Sequence, residues 1–290
     1  MAPARCQSTP CYALAMKRLL PLLLLPLCLT SCAMHETLTL DVSSAKSWTL
    51  PVRFVFNLPV IDLQIGAHTV PVVIDTGSNG TIWLAPAVAQ RVGVHFTGQS
   101  STYYDAHGHA FAARNYVLSE CALDGIKLRN IEGREFASAA DSGPEIQGIL
   151  GLGLLRHFRV IFDWPRAAME LSTGGLTGRE QFRQVPMHWT SYGLETHVVI
   201  DGTELEFIWD TGASASILKF GRVAKSLLSK REGYLMYTAR HTHIGGTDFG
   251  PLDFYMQDLE EPPGDGLIGA NFFMKHRVLL DLEANMLGVE

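Results

Sequence analysis

Two carboxylates in this chain stand in the same short context. In "VVIDTGSNGTIWL", residues 72–84, Asp75 ends an apolar run and is followed by Thr76, Gly77 and Ser78; in "LEFIWDTGASASIL", residues 205–218, Asp210 does the same ahead of Thr211 and Gly212. One Asp-Thr-Gly is an ordinary turn former. A second copy in matching surroundings points to a shared purpose. Two carboxylates held about 3 Å apart cannot both ionise comfortably, so such a pair keeps one proton over a wide pH range. One member then acts as general base on a water while its partner donates a hydrogen bond to a carbonyl, with no covalent intermediate. Which aspartate holds the proton is a property of the pair. Gly77 and Gly212 let each loop turn tightly and approach the other.

Other residues with chemical potential are weaker candidates. His107 and His109 in "HGH", and His241 and His243 in "HTH", place two imidazoles on one face of an extended segment, a spacing compatible with zinc. No companion motif such as His-Glu-x-x-His accompanies them, so the expectation is no metal and no cofactor. Trp83, Trp189 and Trp209 read as core or cleft wall, with Trp209 narrowing the subsite beside Asp210.

The elements that must position the aspartates come from an internal repeat. Ile149-Leu150-Gly151 in the first half matches Leu267-Ile268-Gly269 in the second; aligned on these glycines, Arg159 matches Arg277 and Asp163 matches Asp281. Each half reads mainly as β: short runs of branched and aromatic residues, with a hairpin expected about Asp124-Gly125 and Pro71 expected at a strand end or edge. Helix is expected only over 86–92, over 220–229, and for one turn after each apolar-apolar-Gly. From Asp75 to Gly125 is 50 residues and from Asp210 to Gly246 is 36, so the second half lacks about fourteen. The surplus contains "STYYDAHGHAFAAR", which reads as a β-hairpin. The expected organisation is a first lobe over 48–176, a connection over 177–188 signalled by the polar, glycine-rich run 172–186, and a second lobe over 189–290.

Upstream, "MKRLLPLLLLPLCLTSC" has Lys17 and Arg18, a Leu-rich segment from Leu19 to Leu29 and a small-residue end at Cys32, the pattern of a secretory signal too short to span a membrane. Residues 1–15 precede Met16 and read as an upstream extension of a 1–31 signal peptide. Leu29-Thr30-Ser31-Cys32 resembles the bacterial lipobox, which implies lipidation of Cys32, a tether over 32–47 and a place in a bacterial envelope. Ala33 leans toward the periplasmic face of the outer membrane, by likeness to bacterial lipoproteins generally. A small-x-small cleavage site is the rival. Of the 23 basic and 29 acidic side chains, removal of 1–31 takes Arg5, Lys17 and Arg18 and no acid, leaving 20 − 29 = −9. That charge argues against a nucleic-acid partner. With Cys6, Cys11 and Cys28 gone and Cys32 acylated, only Cys121 remains, so no internal disulfide is expected.

The two triplets, each followed by an apolar-apolar-Gly, resemble aspartic peptidases of the pepsin and retropepsin type, over residues from about 48 to 290. The resemblance implies an all-β fold of two pseudo-symmetric β-barrel lobes with the active-site cleft between them. It implies Asp75 and Asp210 as the catalytic pair and an extended polypeptide as substrate. Thr76 and Thr211 would bond the opposite loop's backbone, and Gly151 and Gly269 would pack beneath the aspartate loops. The hairpin would be a single flap with Tyr103 or Tyr104 over the peptide, the rival being an ordinary hairpin with a core tyrosine. Ser78 is expected to hydrogen-bond the nearby carboxylate, which Ala213 cannot do, giving a less acidic optimum than relatives with two hydroxyls. Because both lobes lie in one chain, a monomer is expected. A peptide- or protein-binding lipoprotein on the same scaffold is the chief rival to an endopeptidase, and a metal-dependent hydrolase using the histidine pairs is the third class.

Overall fold

The computed structural model describes residues 39–40, 46–104, 108–136, 143–175, 178–259 and 264–290. The signal peptide, Cys32, most of the tether and His107 lie outside these residues. The described chain is nearly all β, in three sheets that build two lobes. Among the described residues no helix is long and apolar enough to cross a membrane.

Both lobes start from the same local arrangement. In the first, Leu58–Ile65 and His68–Asp75 form a hairpin, and Gly148–Gly151 lies parallel to the second strand with Gly151 opposite Asp75. The other edge of Gly148–Gly151 takes Ile82–Leu84 antiparallel. In the second lobe Gly193–Ile200 and Thr203–Trp209 form the hairpin, Gly266–Ile268 runs parallel beside Trp209, and Ile217–Lys219 closes the other edge. Each aspartate therefore sits where a central strand ends, and its triplet loop crosses the end of the apolar-apolar-Gly strand. Burial of the flanking strands on both faces explains why they read as continuous apolar runs rather than alternating ones. Pro71 is tolerated inside His68–Asp75 because the parallel partner begins at Val72, so the missing N–H has no ladder bond to make.

A six-stranded antiparallel sheet joins the halves, in the order Arg183–Pro186, Met286–Val289, Val278–Asp281, Arg159–Asp163, Ala168–Ser172, Ser47–Pro51. Its two central strands pair Arg159 with Asp281 and Phe162 with Val278. The matched Arg and Asp residues of the repeat meet crosswise: Arg159 Nε lies 3.1 Å from Asp281 Oδ2, and Arg277 Nε 3.0 Å from Asp163 Oδ2, both carboxylates being buried. The polar segment read as a connection contributes the outer strand Arg183–Pro186, whose buried residue is Val185. An edge strand needs only one apolar position, which is why it looked like linker.

The hairpin about Asp124-Gly125 forms as expected, with φ of 44° and 84° suited to a two-residue turn. Helices occur at Pro86–Arg91, Leu152–Leu155 and Ala270–Phe273. The helix expected over 220–229 does not form. Gly221 takes φ +85°, Lys225–Leu227 makes one 3-10 turn and Ser229–Arg231 is a strand. That segment buries no continuous stripe, and a short helix without a packed face is not stable in water.

Candidate active site

The lobes meet at the two triplets. Thr76 Oγ1 donates to the Trp209 carbonyl at 2.6 Å and accepts the Thr211 N–H at 3.0 Å. Thr211 Oγ1 donates to the Ile74 carbonyl at 2.7 Å and accepts the Thr76 N–H at 2.9 Å. All four bonds are buried and each hydroxyl is used twice, so the network fixes one loop against the other. Within each loop the third residue's N–H caps the carboxylate: Gly77 N–H to Asp75 Oδ1 at 2.9 Å, and Gly212 N–H to Asp210 Oδ1 at 2.8 Å. A Cβ on Gly77 would lie 2.7 Å from Asp210 Cγ, and one on Gly212 2.5 Å from Asp75 Oδ1. Each carboxylate thus rests against the opposite loop's glycine, in space that any side chain would fill. Gly151 and Gly269 sit under the loops, where a Cβ would come within 2.6 Å of the Ser78 carbonyl and 2.9 Å of the Ala213 carbonyl respectively.

Asp75 and Asp210 are each 1% exposed. Burial holds the Asp75 carboxyl well above the ordinary carboxylate range, with the charge and hydrogen bond of Asp210 adding to the effect. Burial also pushes Asp210 up to about 6, against the opposing influence of the bond from Asp75 and the backbone N–H groups of Gly212, Ala213 and Gly77. The pair therefore retains a proton well above the pH at which a free carboxyl would lose it. A water between them would find one acceptor and one donor.

The Ser78–Ala213 asymmetry read from the sequence is not realised. Ser78 Oγ is buried and makes no hydrogen bond among the described residues; it lies over Gly151, 3.1 Å from where a Cβ there would be. Both carboxylates depend on backbone N–H groups alone at this position, and the loops are electrostatically more alike than their sequences. Trp209 is likewise corrected. It is fully buried, donates from Nε1 to Thr196 Oγ1 at 2.7 Å and packs edge-on against Phe272 and Phe273, so it narrows no subsite. Its alternation along Thr203–Trp209 sends the ring into the lobe core.

The expected hairpin is present as His95–Tyr104 and Ala110–Leu123, with Tyr103 opposite Phe111 and Tyr104 opposite Ala110. Tyr103 is fully buried, edge-on to Trp83 at 4.8 Å and stacked on Phe111 at 5.2 Å, whereas Tyr104 on the other face is 36% exposed. Of the histidine pairs, His241 Nδ1 lies 2.6 Å from Asp248 Oδ2, and the His241 and His243 rings are 6.1 Å apart. Among the described residues no group of three or more His, Cys, Asp or Glu side chains could hold a metal ion.

Two residues escaped the sequence reading. Asn79 Nδ2 donates to the Ser191 carbonyl at 2.7 Å and its Oδ1 accepts from Trp189 Nε1 at 2.8 Å, tying the first triplet loop to the second lobe. Ser216 Oγ accepts the Gly269 N–H at 3.0 Å and donates to Asn271 Oδ1 at 2.7 Å, holding the second triplet loop to its glycine support. An Asn two residues after the first triplet was the only sequence signal for the former.

Known proteins share the fold of this chain. A family model described as "Aspartyl protease" matches residues 61–154, a span with Asp75 and Gly151 but not Asp210. A search of curated proteins gives no match. Among solved structures the chain is similar to basic 7S globulin from soybean, with TM-score 0.59 and 12% identity over 85% of this chain and 95% of that one. It is also similar to an aspartic proteinase from Irpex lacteus, with TM-score 0.56 and 14% identity over 84% and 97%. At such identities the likeness establishes the two-lobed pepsin-like fold.

Proposed function

We propose that this chain is an aspartic endopeptidase that hydrolyses peptide bonds with a water activated between Asp75 and Asp210. The observation that carries the reading is the burial of these two carboxylates against each other's loops, with both held above the ordinary carboxylate range. The ionised member takes the proton of the water and the protonated one bonds the scissile carbonyl, after which the roles exchange. In this reading an extended polypeptide lies beneath the hairpin, with affinity from backbone pairing and selectivity from alternate side chains. Tyr103, fully buried against Trp83 and Phe111, is the core tyrosine of that hairpin. Burial of both carboxylates favours an optimum less acidic than that of a pair with additional hydroxyl support. We also propose a bacterial, envelope-located monomer anchored through a lipid on Cys32, on the strength of Lys17-Arg18, the apolar 19–29 and Leu-Thr-Ser-Cys.

The likeness to a protein named as a globulin keeps a second reading in play, a scaffold that binds peptide or protein without cutting it. A peptide-library digest beside Asp75→Asn and Asp210→Asn separates the two. Each substitution should lower cleavage by about 10⁴-fold, and the double variant should be no worse because the pair acts as a unit. Pepstatin should inhibit and EDTA should not. Cleavage indifferent to either Asn would sink the proposal; binding that survives Asp75→Asn with no cleavage by the wild type would establish the scaffold.

A further inference from the structure

We propose that residues 219–235 of the second lobe form a docking surface for an anionic lipid leaflet. Between 219 and 231 the chain carries Lys219, Arg222, Lys225, Lys230 and Arg231 and no Asp or Glu, in a protein of formal net charge −6. The same stretch and the strand after it hold Phe220, Leu227 and Leu235, which are 41%, 58% and 43% exposed. They are three of the five large hydrophobic side chains exposed among the described residues. Single exposed leucines are commonplace, but three beside a cluster of cations are a pattern.

The local structure decides which charges are available. Arg222 is bound to Asp265 at 2.7 Å, and Arg231 to Asp253 at 3.3 Å and to Thr238. Lys225 and Lys230 have no anionic partner among the described residues. Lys225 opens the 3-10 turn that ends on Leu227, and Lys230 sits opposite Leu235 in the hairpin Ser229–Arg231 with Tyr234–Ala239. Directly opposed residues share a face. Lys230 thus stands beside the exposed Leu235, Lys225 lies two residues from the exposed Leu227, and Glu232 at the hairpin turn is the one acid between 219 and 235.

An apolar tip next to a cation suits a headgroup boundary, where the leucine enters the acyl margin and the ammonium meets lipid phosphate. A protein partner fits less well, because interface centres are depleted in lysine. A second copy related by a two-fold axis would bring these cations together. Lys230 alone could be explained as protection of an exposed edge strand. That account leaves Leu227 and Leu235 without a purpose. The inference rests neither on the catalytic reading nor on lipidation of Cys32.

The test is lysine acetylation of the full chain, read residue by residue by mass spectrometry, with vesicles of phosphatidylglycerol and phosphatidylcholine or of phosphatidylcholine alone. Lys225 and Lys230 should be modified at least about fivefold more slowly on the anionic vesicles, the effect of about one cation's attraction. The protection should fade in high salt, and Lys127 and Lys275 should serve as unchanged controls. An N-terminal anchor holds the chain on both vesicle types, so it cannot produce this difference. Leu227→Ser with Leu235→Ser should remove the protection without touching the fold. Equal rates on the two vesicles would overturn the proposal. So would protection that rises with protein concentration in the absence of lipid, which would identify a second copy as the occupant.

Discussion

In the first lobe the hairpin one strand beyond the Ile82–Leu84 partner has strands of 10 and 14 residues, His95–Tyr104 and Ala110–Leu123. In the second lobe the hairpin in the corresponding place, Ser229–Arg231 with Tyr234–Ala239, has strands of 3 and 6. Around the triplets the halves instead match bond for bond, from the crossed threonine bonds to the glycine N–H on each carboxylate. The two threonine bonds each loop makes end on the other loop, so a change on one side displaces the carboxylate on the other. The outer hairpins face no such partner. Their lengths and surfaces are free to differ, one long and the other short, basic and carrying exposed leucine.

The comparison can be sharpened first at the sheet that joins the lobes. Arg277→Met leaves the buried Asp163 with only the more exposed Arg166, and Arg159→Met leaves Asp281 with Arg179. Each should destabilise by about 3–5 kcal/mol in denaturant unfolding, since a buried carboxylate loses its better-shielded partner. A loss under 1 kcal/mol at both positions would show that the crossed pairs do not hold the halves together.

A second measurement follows stability with pH. A carboxyl whose folded pKa lies above its unfolded value favours the fold most when protonated. That contribution is complete below about pH 4 and is lost as pH rises through about 6 for Asp210, with Asp75 shifted in the same direction. Asp210→Asn should therefore raise the melting temperature at pH 7, by roughly 3 kcal/mol of stability, and leave it little changed at pH 3.5. A pH-independent difference would contradict the burial argument.

Smaller effects test the equivalence of the loops directly. Thr76→Val and Thr211→Val each remove a hydroxyl that makes two buried bonds, and should cost about 2 kcal/mol apiece and lower peptide cleavage together. A marked inequality would mean that one lobe leads the other. Ser78→Ala should be nearly silent, within about 0.5 kcal/mol and without a shift in the pH profile of cleavage, because its hydroxyl bonds neither carboxylate. An acid-side shift in wild type relative to the alanine variant would restore the asymmetry that the sequence suggests.

Much of the site was legible because its components are repeated and chemically distinctive. Asp75 and Asp210, the glycines after them, and Gly151 and Gly269 announce themselves by type and spacing. Arg159, Asp163, Arg277 and Asp281 were matched as equivalents, yet nothing in a linear alignment says that equivalents pair crosswise. That follows from the antiparallel register of Arg159–Asp163 on Val278–Asp281. The helix read over 220–229 failed because propensity was judged without knowing that the segment would find nothing to pack against. Tyr103 and Tyr104 were indistinguishable for a related reason. Consecutive strand residues point to opposite faces, and only the neighbouring sheet says which face is inside.

The sequence by itself determined that the chain is a duplicated β unit carrying two buried-strand aspartates, since local patterning and the triplet's turn chemistry repeat in order. Tertiary structure alone decided that the two carboxylates lie against each other's glycines, that Ser78 turns away and that Trp209 goes to the core. The physical reason is that desolvation, shared protons and crossed hydrogen bonds are properties of distances between segments far apart in the chain, set only when the lobes close on one another.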